Sequence, residues 1–354
     1  MTPMHSQYLI GFGTAFAAGL ILTPVFGRIS ASAGLIDYPS SRKFHLTKMP
    51  MMGGLAVAAA FLIVYIGAVK FALKGDLPVK FIGAIAASLI MLSLGLVDDF
   101  KNVPPKIKLI GQFAAAAILL ACGLRASMTG IAPLDWIFTF VWFAGIVNCL
   151  NLLDNIDGLA GGAAAVAGGF FFLAAAALGR ADIAIAAAVF SGACSGFLAH
   201  NFHPASIFSG DAGSMFMGSM LASFGLFFMS PGHGLPHSIA ILFPGVILGL
   251  LIFDTGLVTI MRVTHGKKIT DGGKDHTSHR LCILGLSVQA SVIALFAACF
   301  IFGIAGVSML PAMRLVSPAR AVYIPLCLLI ISLILWALLG KLYNYDQDRD
   351  EAAN

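Results

Sequence analysis

Asp98-Asp99, the polar run from Asn148 to Gly158, Gly210-Asp211-Ala212-Gly213-Ser214 and the lone Asp254 set carboxylates beside long apolar stretches. The chain holds 16 acids, and six of them are in these four places. A carboxylate near lipid is costly and stands there with a partner or a task. Acids gathered at a membrane face suit a divalent cation, and a divalent cation there suits phosphate chemistry.

Asp98 and Asp99 close an apolar stretch and precede Lys101, Lys106 and Lys108. Helix neighbours point about 100° apart. One acid is therefore expected to face a reacting centre, the other to support it or reach a second partner. A solvated helix end explains the pair poorly, because acids at a helix C-terminus oppose the macrodipole. Asn148, Asn151, Asp154 and Asp157 recur at every third residue, and on a helix they would form a winding polar ladder. Leu152, Leu153 and Ile156 between them argue against a plain solvated loop. Around Asp211 the glycines let backbone come close to a ligand, and the next helix start offers N–H groups to an anion. An ordinary helix cap accounts for one Asp and one Gly, so that motif gains weight only beside the others.

Asp275-His276-Thr277-Ser278-His279-Arg280 sits in a loop with Lys267, Lys268 and Lys274. A positive loop explains the lysines but not two histidines three apart. Arg280 can fork onto a phosphate. His-x-x-His without further ligands is a poor zinc site. Arg42, Lys43, His45 and Lys48 form another basic patch, equally well read as a topology signal. Asp254 either pairs with a polar neighbour or takes part in chemistry. The single His200, His203, His233 and His237 read as structural.

The elements that must position these groups are membrane helices. The chain of 354 residues is 59% hydrophobic and 10% charged, against about 25% charged in soluble domains. Eleven spans are expected, near 8–28, 53–70, 80–97, 109–124, 134–150, 159–178, 182–200, 213–229, 238–261, 286–306 and 320–340. The fold expected is an all-α polytopic membrane protein, one transmembrane domain over 1–345 and a mobile acidic tail over 346–354. No Lys or Arg precedes Arg28, so the start reads as a first span with its N-terminus outside rather than a cleaved signal peptide. That orientation puts 14 of the 21 Lys and Arg inside, as cytoplasmic loops prefer. It also gathers the acids, the His/Arg loop and the basic patch on the cytoplasmic face. The six cysteines are scattered and read as small hydrophobes. The net charge of +5 lies in short loops and gives no reason to expect nucleic acid. Acids collected at one face disfavour the rival reading, a secondary transporter or cation channel, which needs them along a path to both faces.

Five motifs occur in order: D-x-P-x-x-R-K-x-H…P-x-x-G-G over 37–54, D-D at 98–99, N-x-x-N-x-x-D-x-x-D-G-L over 148–159, N-F-x-P-A-x-I-F-x-G-D-A-G-S over 201–214, and a His/Arg loop ending H-R-L over 276–281. The set resembles the polyprenyl-phosphate N-acetylhexosamine-1-phosphate transferases of glycosyltransferase family 4. It is closer to the branch using UDP-N-acetylglucosamine than to the phospho-MurNAc-pentapeptide translocases. The resemblance spans nearly the whole chain. It implies transfer of a sugar 1-phosphate from a UDP-N-acetylhexosamine to a membrane polyprenyl phosphate such as undecaprenyl phosphate. UMP would be released at the inner face of a bacterial cytoplasmic membrane, with Mg²⁺, or alternatively Mn²⁺, as cofactor.

The resemblance also implies roles. Asp98 resembles the acid proposed to deprotonate the lipid phosphate, with Asp99 beside it. Asp211 matches the metal-binding acid, with Asp154 near it. Asn151, Asp154 and Asp157 match the nucleotide and catalytic cluster. Phe208 matches an aromatic that stacks on uracil, Lys108 a lysine near the phosphates, and His279 and Arg280 positions near the diphosphate. Relatives on this branch often read H-x-H-H-R-L, and Ser278 stands here for the middle His, which bears on the contacts of that loop and on the sugar. Direct attack and a covalent phospho-aspartate route both fit the residues. So do monomer and homodimer.

Overall fold

Apolar runs in lipid must satisfy their own backbone polar groups, and a helix does so within one segment. The computed structural model describes residues 3–38, 48–71, 77–231, 235–268, 273, 275–313, 317 and 323–352. They form thirteen α-helices, a short 3₁₀ turn at Pro311–Met313 and one small hairpin. In chain order the helices are α1 (Pro3–Ser32), α2 (Gly53–Phe71), α3 (Val79–Lys101), α4 (Pro105–Ala121), α5 (Ala132–Leu153), α6 (Leu159–Ala177) and α7 (Ala181–Asn201). There follow α8 (Gly210–Met229), α9 (His237–Ile247), α10 (Gly249–Thr264), α11 (Thr277–Ile283), α12 (Val288–Ser308) and α13 (Tyr323–Ala352). The hairpin pairs β1 (Ile36–Asp37) with β2 (Met49–Pro50), antiparallel, Ile36 opposite Pro50. The protein is an all-α multi-pass membrane protein.

Among the described residues eight helices are long and apolar enough to cross a membrane. The bent pair α9 and α10, which meet at 70°, is long and apolar enough only when its two helices are taken together as one broken span. All eleven expected spans coincide with helices, but two fall short. α4 and the apolar part of α13, Tyr323–Leu339, have 17 residues each, which is about 26 Å of helix against a core of about 30 Å. α13 also continues through residues 346–352, where a mobile tail was expected. Extending a helix already formed adds one bond per residue fixed.

α8 is the axis of the bundle. Every residue of its span window is buried, and α2, α3, α5, α6 and α9 pack around it. Phe171, Phe190, Phe224, Phe228 and Phe243 interlock ring against ring on one side of it. α1 lies outermost against α7. Lipid tails give helices no hydrophobic reason to associate, so close backbone packing must do it. At the start of α8 that packing leaves no room for a side chain. A Cβ on Gly54 would fall 2.0 Å from the Cα of Gly213, and one on Gly95 would fall 2.4 Å from the carbonyl oxygen of Asp211. Gly53 N–H and Gly54 N–H donate to the carbonyls of Phe208 and Ser209, both at 2.9 Å. Helices α2, α3 and α8 therefore converge where the motifs lie.

Candidate active site

The end of α3 is turned by its own acid. Asn102 sits at φ 49°, its N–H returns to the Asp98 carbonyl, and Val103 N–H donates to Asp98 Oδ1. Pro104 and Pro105 then start α4, whose first turn carries Lys108 back over the break. Lys108 Nζ pairs with Asp98 Oδ2 and, at 2.8 Å, with Asp211 Oδ2. Asp99 goes elsewhere. Its two oxygens accept the N–H groups of Asp211 (2.7 Å) and Ala212 (3.1 Å). The acid at the C-terminus of one helix thus caps the N-terminus of another, a site that favours negative charge. The N–H groups expected to be open to a ligand anion at the start of α8 are taken by Asp99. Gly210, at φ +69°, makes this possible, since a Cβ there would stand 2.6 Å from Asp99 Oδ2.

The end of α5 supplies the opposite wall. Asn151 Nδ2 donates to Asp211 Oδ1 (2.9 Å) and Ser214 Oγ (2.8 Å). One turn earlier, Asn148 and Gln112 exchange amide hydrogen bonds at 2.9 and 3.1 Å. The polar ladder is helical only to this point. α5 stops at Leu153, and Asp154 lies in the turn at φ −77°, ψ 52°. Asp154 Oδ2 accepts the Ser209 hydroxyl. Burial pushes its carboxyl up to about 7, the charges of Asp211 and Asp157 add to this, and Ser209 opposes it. Asp157 Oδ2 meets His203 Nδ1 at 2.7 Å and accepts Ala205 N–H at 3.1 Å. Asp157 therefore ties the α5–α6 turn to the 201–209 segment. Phe208, half-buried on that segment, donates its N–H to Pro50 O at 2.8 Å.

A second polar cluster holds the His/Arg loop. Asp254 accepts Thr277 N–H at 2.7 Å and meets His276 Nδ1 at 2.8 Å, so the structure shows it paired. Arg262 grips Asp275 with two bonds of 2.7 and 2.8 Å. Burial alone would raise the Asp275 carboxyl, but the Arg262 guanidinium holds it below its usual value. Arg280, expected to fork onto a phosphate, is 1% exposed and donates from Nε to the Asp275 carbonyl and from Nη1 to the Leu339 carbonyl. Its guanidinium thus braces α11 against α13. A helix of seven residues has little stability of its own, and these buried bonds supply it. His279, also buried, sets its ring 5.8 Å from that of His276 and tilted by 45° to it. Ser278 Oγ donates to Asn155 Oδ1 at 2.6 Å, which joins α11 to the turn bearing Asp154 and Asp157.

The structure thus brings Asp98, Asp99, Lys108, Asn151 and Asp211 into one contact set, links Asp154 to it through Ser209, and docks α11 beside it through Ser278. Arg42, Lys43, His45 and Lys274 lie outside the described residues. Lys48 rests over the Tyr38 ring at 5.2 Å. Sequence reasoning read His203 as structural and gave no role to Ser209, Ser214 and Gln112. Three of these lie inside the N-F-x-P-A…G-D-A-G-S motif, and their polarity among apolar neighbours was the available signal. His200 and His237 contact backbone carbonyls, a structural use.

Among the described residues no three His, Cys, Asp or Glu side chains form a metal cage. The donors are hard carboxylate oxygens, and Asp211 is exposed to 35% where Asp98 is at 7%. Mg²⁺ takes one or two carboxylates and fills its other positions with water and substrate phosphate. The residues fit an ion that arrives with a diphosphate.

Known proteins resemble this chain along most of its length. The model of glycosyl transferase family 4 matches residues 81–229. A Bacillus subtilis (strain 168) protein named "Probable undecaprenyl-phosphate N-acetylglucosaminyl 1-phosphate transferase" is 30% identical over 330 residues, 85% of this chain and 84% of that protein. The Mycobacterium tuberculosis (strain H37Rv) decaprenyl-phosphate N-acetylglucosaminephosphotransferase is 30% identical over 324 residues, 83% and 80% of the two chains. A phospho-N-acetylmuramoyl-pentapeptide-transferase of Thermosynechococcus vestitus is 41% identical over 104 residues, 27% of each.

Proposed function

Because the chain belongs to glycosyl transferase family 4, we propose that it transfers N-acetylglucosamine 1-phosphate from UDP-N-acetylglucosamine to a polyprenyl phosphate and releases UMP. An oxygen of the lipid phosphate attacks the β-phosphorus, and the bond from that phosphorus to the bridging oxygen breaks. The observation that carries this reading is the contact set at the start of α8. Asp98, Lys108, Asn151 and Asp211 come from four helices and meet beside the glycine contacts that bring α2, α3 and α8 together.

Both reactants are anionic, so the site must offset charge and hold two phosphates in line. Lys108 is the cation at its centre, and Asp98 fixes its ammonium in place. The second pKa of a phosphate monoester is near 6, so the acceptor oxygen needs no strong base. Asp98 thus acts as the positioner of Lys108. Asn151 orients Asp211, and Asp99 anchors the helix turn on which Asp211 stands. Asp211, with Asp154 behind Ser209, would hold Mg²⁺. A bound Mg²⁺ supplies charge neutralisation to the diphosphate and the departing UMP. The Lys and Arg bias of the loops supports a site that faces the cytoplasm, and at the inner membrane of a bacterium a soluble nucleotide would there meet a lipid acceptor.

Transport finds no support. Among the described residues the acids of the opposite end, Asp135 and Asp182, serve the local loop and Arg180. The test is incubation of purified protein with a panel of UDP-sugars and polyprenyl phosphate, with UMP and the lipid product read by mass. Product from UDP-N-acetylglucosamine is expected, with loss of turnover in excess chelator. No lipid product from any UDP-sugar overturns the proposal.

A further inference from the structure

The helices that carry the candidate active site also frame a cavity at their far ends. It has a volume of about 590 Å³, and its lining includes Lys80, Leu120, Arg125, Trp136 and Pro231. Lys80 stands in the first turn of α3, which ends in Asp98 and Asp99. Leu120 closes α4, which begins beside Lys108. Trp136 directly follows the first turn of α5, and Pro231 follows α8. Eighteen residues separate Lys80 from Asp98, about 27 Å of helix. That is close to the thickness of the hydrocarbon core, so the cavity opens at the opposite membrane boundary.

Its chemistry is mixed in a particular way. Lys80 and Arg125 are half-buried and make no ion pair among the described residues. Asp135, the acid on the adjoining loop, is buried, and its Oδ1 is engaged by Met128 N–H, Thr129 N–H and the Thr129 hydroxyl. The loop bearing Arg125 is pinned on both sides. Ser230 Oγ donates to the Arg125 carbonyl at 2.8 Å, and Ser127 N–H donates to Met229 O at 3.1 Å. Leu120, Trp136 and Pro231 supply an apolar wall, and Trp136 is 46% exposed. An indole at this depth is amphipathic and suits the headgroup level. Two cations beside an apolar wall match a phosphate joined to acyl chains. We propose that the cavity binds the headgroup of an anionic phospholipid from the leaflet opposite the active site.

Native mass spectrometry of the purified protein with phosphatidylglycerol and phosphatidylcholine vesicle lipids tests this. The wild-type chain should retain phosphatidylglycerol in preference, and K80Q/R125Q should lose that preference by about fivefold for each cation removed. K80R/R125K should keep it. Equal retention of the two lipids by the wild-type chain overturns the proposal, as does wild-type preference in folded K80Q/R125Q. Displacement of the lipid by equimolar glycerol 3-phosphate would assign the cavity to a soluble phosphate and overturn the lipid reading.

Discussion

Two polar clusters stand side by side at one end of the bundle and differ in what surrounds them. In the first, Lys108 and Asp211 are 22% and 35% exposed and share their bonds with Asp98 and Asn151. In the second, Asp254, His276, Arg262 and Asp275 are at most 8% exposed and are closed on one another. Both are rich in charge, and charge alone does not separate them. Water access does. A half-open ion pair can exchange its partner for an incoming phosphate at modest cost, whereas a buried pair that loses one member leaves an uncompensated charge. The first cluster is built to trade contacts and the second to hold a loop.

The sharpest way to break this contrast is at Asp211. Asp211→Asn should lower UMP release by about 10³-fold, the scale of a lost charge-stabilising group, while the protein still inserts and unfolds at its usual temperature. Turnover at wild-type rate in purified Asp211→Asn would falsify the role assigned to it. The reverse pattern belongs to the second cluster. Arg262→Ala should cost about 3 kcal/mol of stability or more by stranding Asp275, measured by thermal unfolding in detergent, with turnover lost in step. A double change of Arg262 and Asp275 to leucine should be milder than Arg262→Ala alone. If it is worse, the pair does more than fasten α11.

Ser278 joins the two clusters, and its removal should have a smaller effect. Ser278→Ala should slow turnover about fivefold, the scale of one hydrogen bond of about 1 kcal/mol, with little change in unfolding temperature. An unchanged rate would mean that Asn155 keeps its place without help. The smallest effect is in the pH response. The fold holds the Asp154 proton to about 7, against an ordinary value of 3.8. Between these values the unfolded chain binds fewer protons than the folded one, so stability should fall as pH rises through that window. Asp154→Asn should flatten the fall, and a slope equal to wild type would show that other groups cause it.

The residues of the first cluster were legible in the sequence because their types are wrong for lipid. Asp98, Asn151 and Asp211 stand out against apolar neighbours whatever the tertiary arrangement. Their division of labour was not legible. That Asp99 caps α8 depends on which helix start lies opposite, and nothing within α3 carries that information. The packing of Arg280 was not legible for a related reason. A fork of donors suits a phosphate and two backbone carbonyls equally, and only packing against α13 decides between them. His203 read as structural, and the cost of that reading was its bond to Asp157. The helical content followed from composition, but the number of true spans depends on a few residues at each end, as α4 shows. The 70° bend between α9 and α10 has Pro244, with Gly245 and Gly249, as its sequence signal, and a proline that breaks a span was not separated from one that a straight helix tolerates.

The meeting of Gly54 with Gly213 also sets a condition on descent. Neither position can gain a methyl group without driving α2 from α8, and a second mutation elsewhere in those helices cannot restore the lost clearance. Lineages carrying this fold are free to exchange side chains around that point. These two positions should stay fixed through such exchange, so among diverged descendants the silent pair of glycines, more than any charged residue, would mark shared ancestry of the architecture.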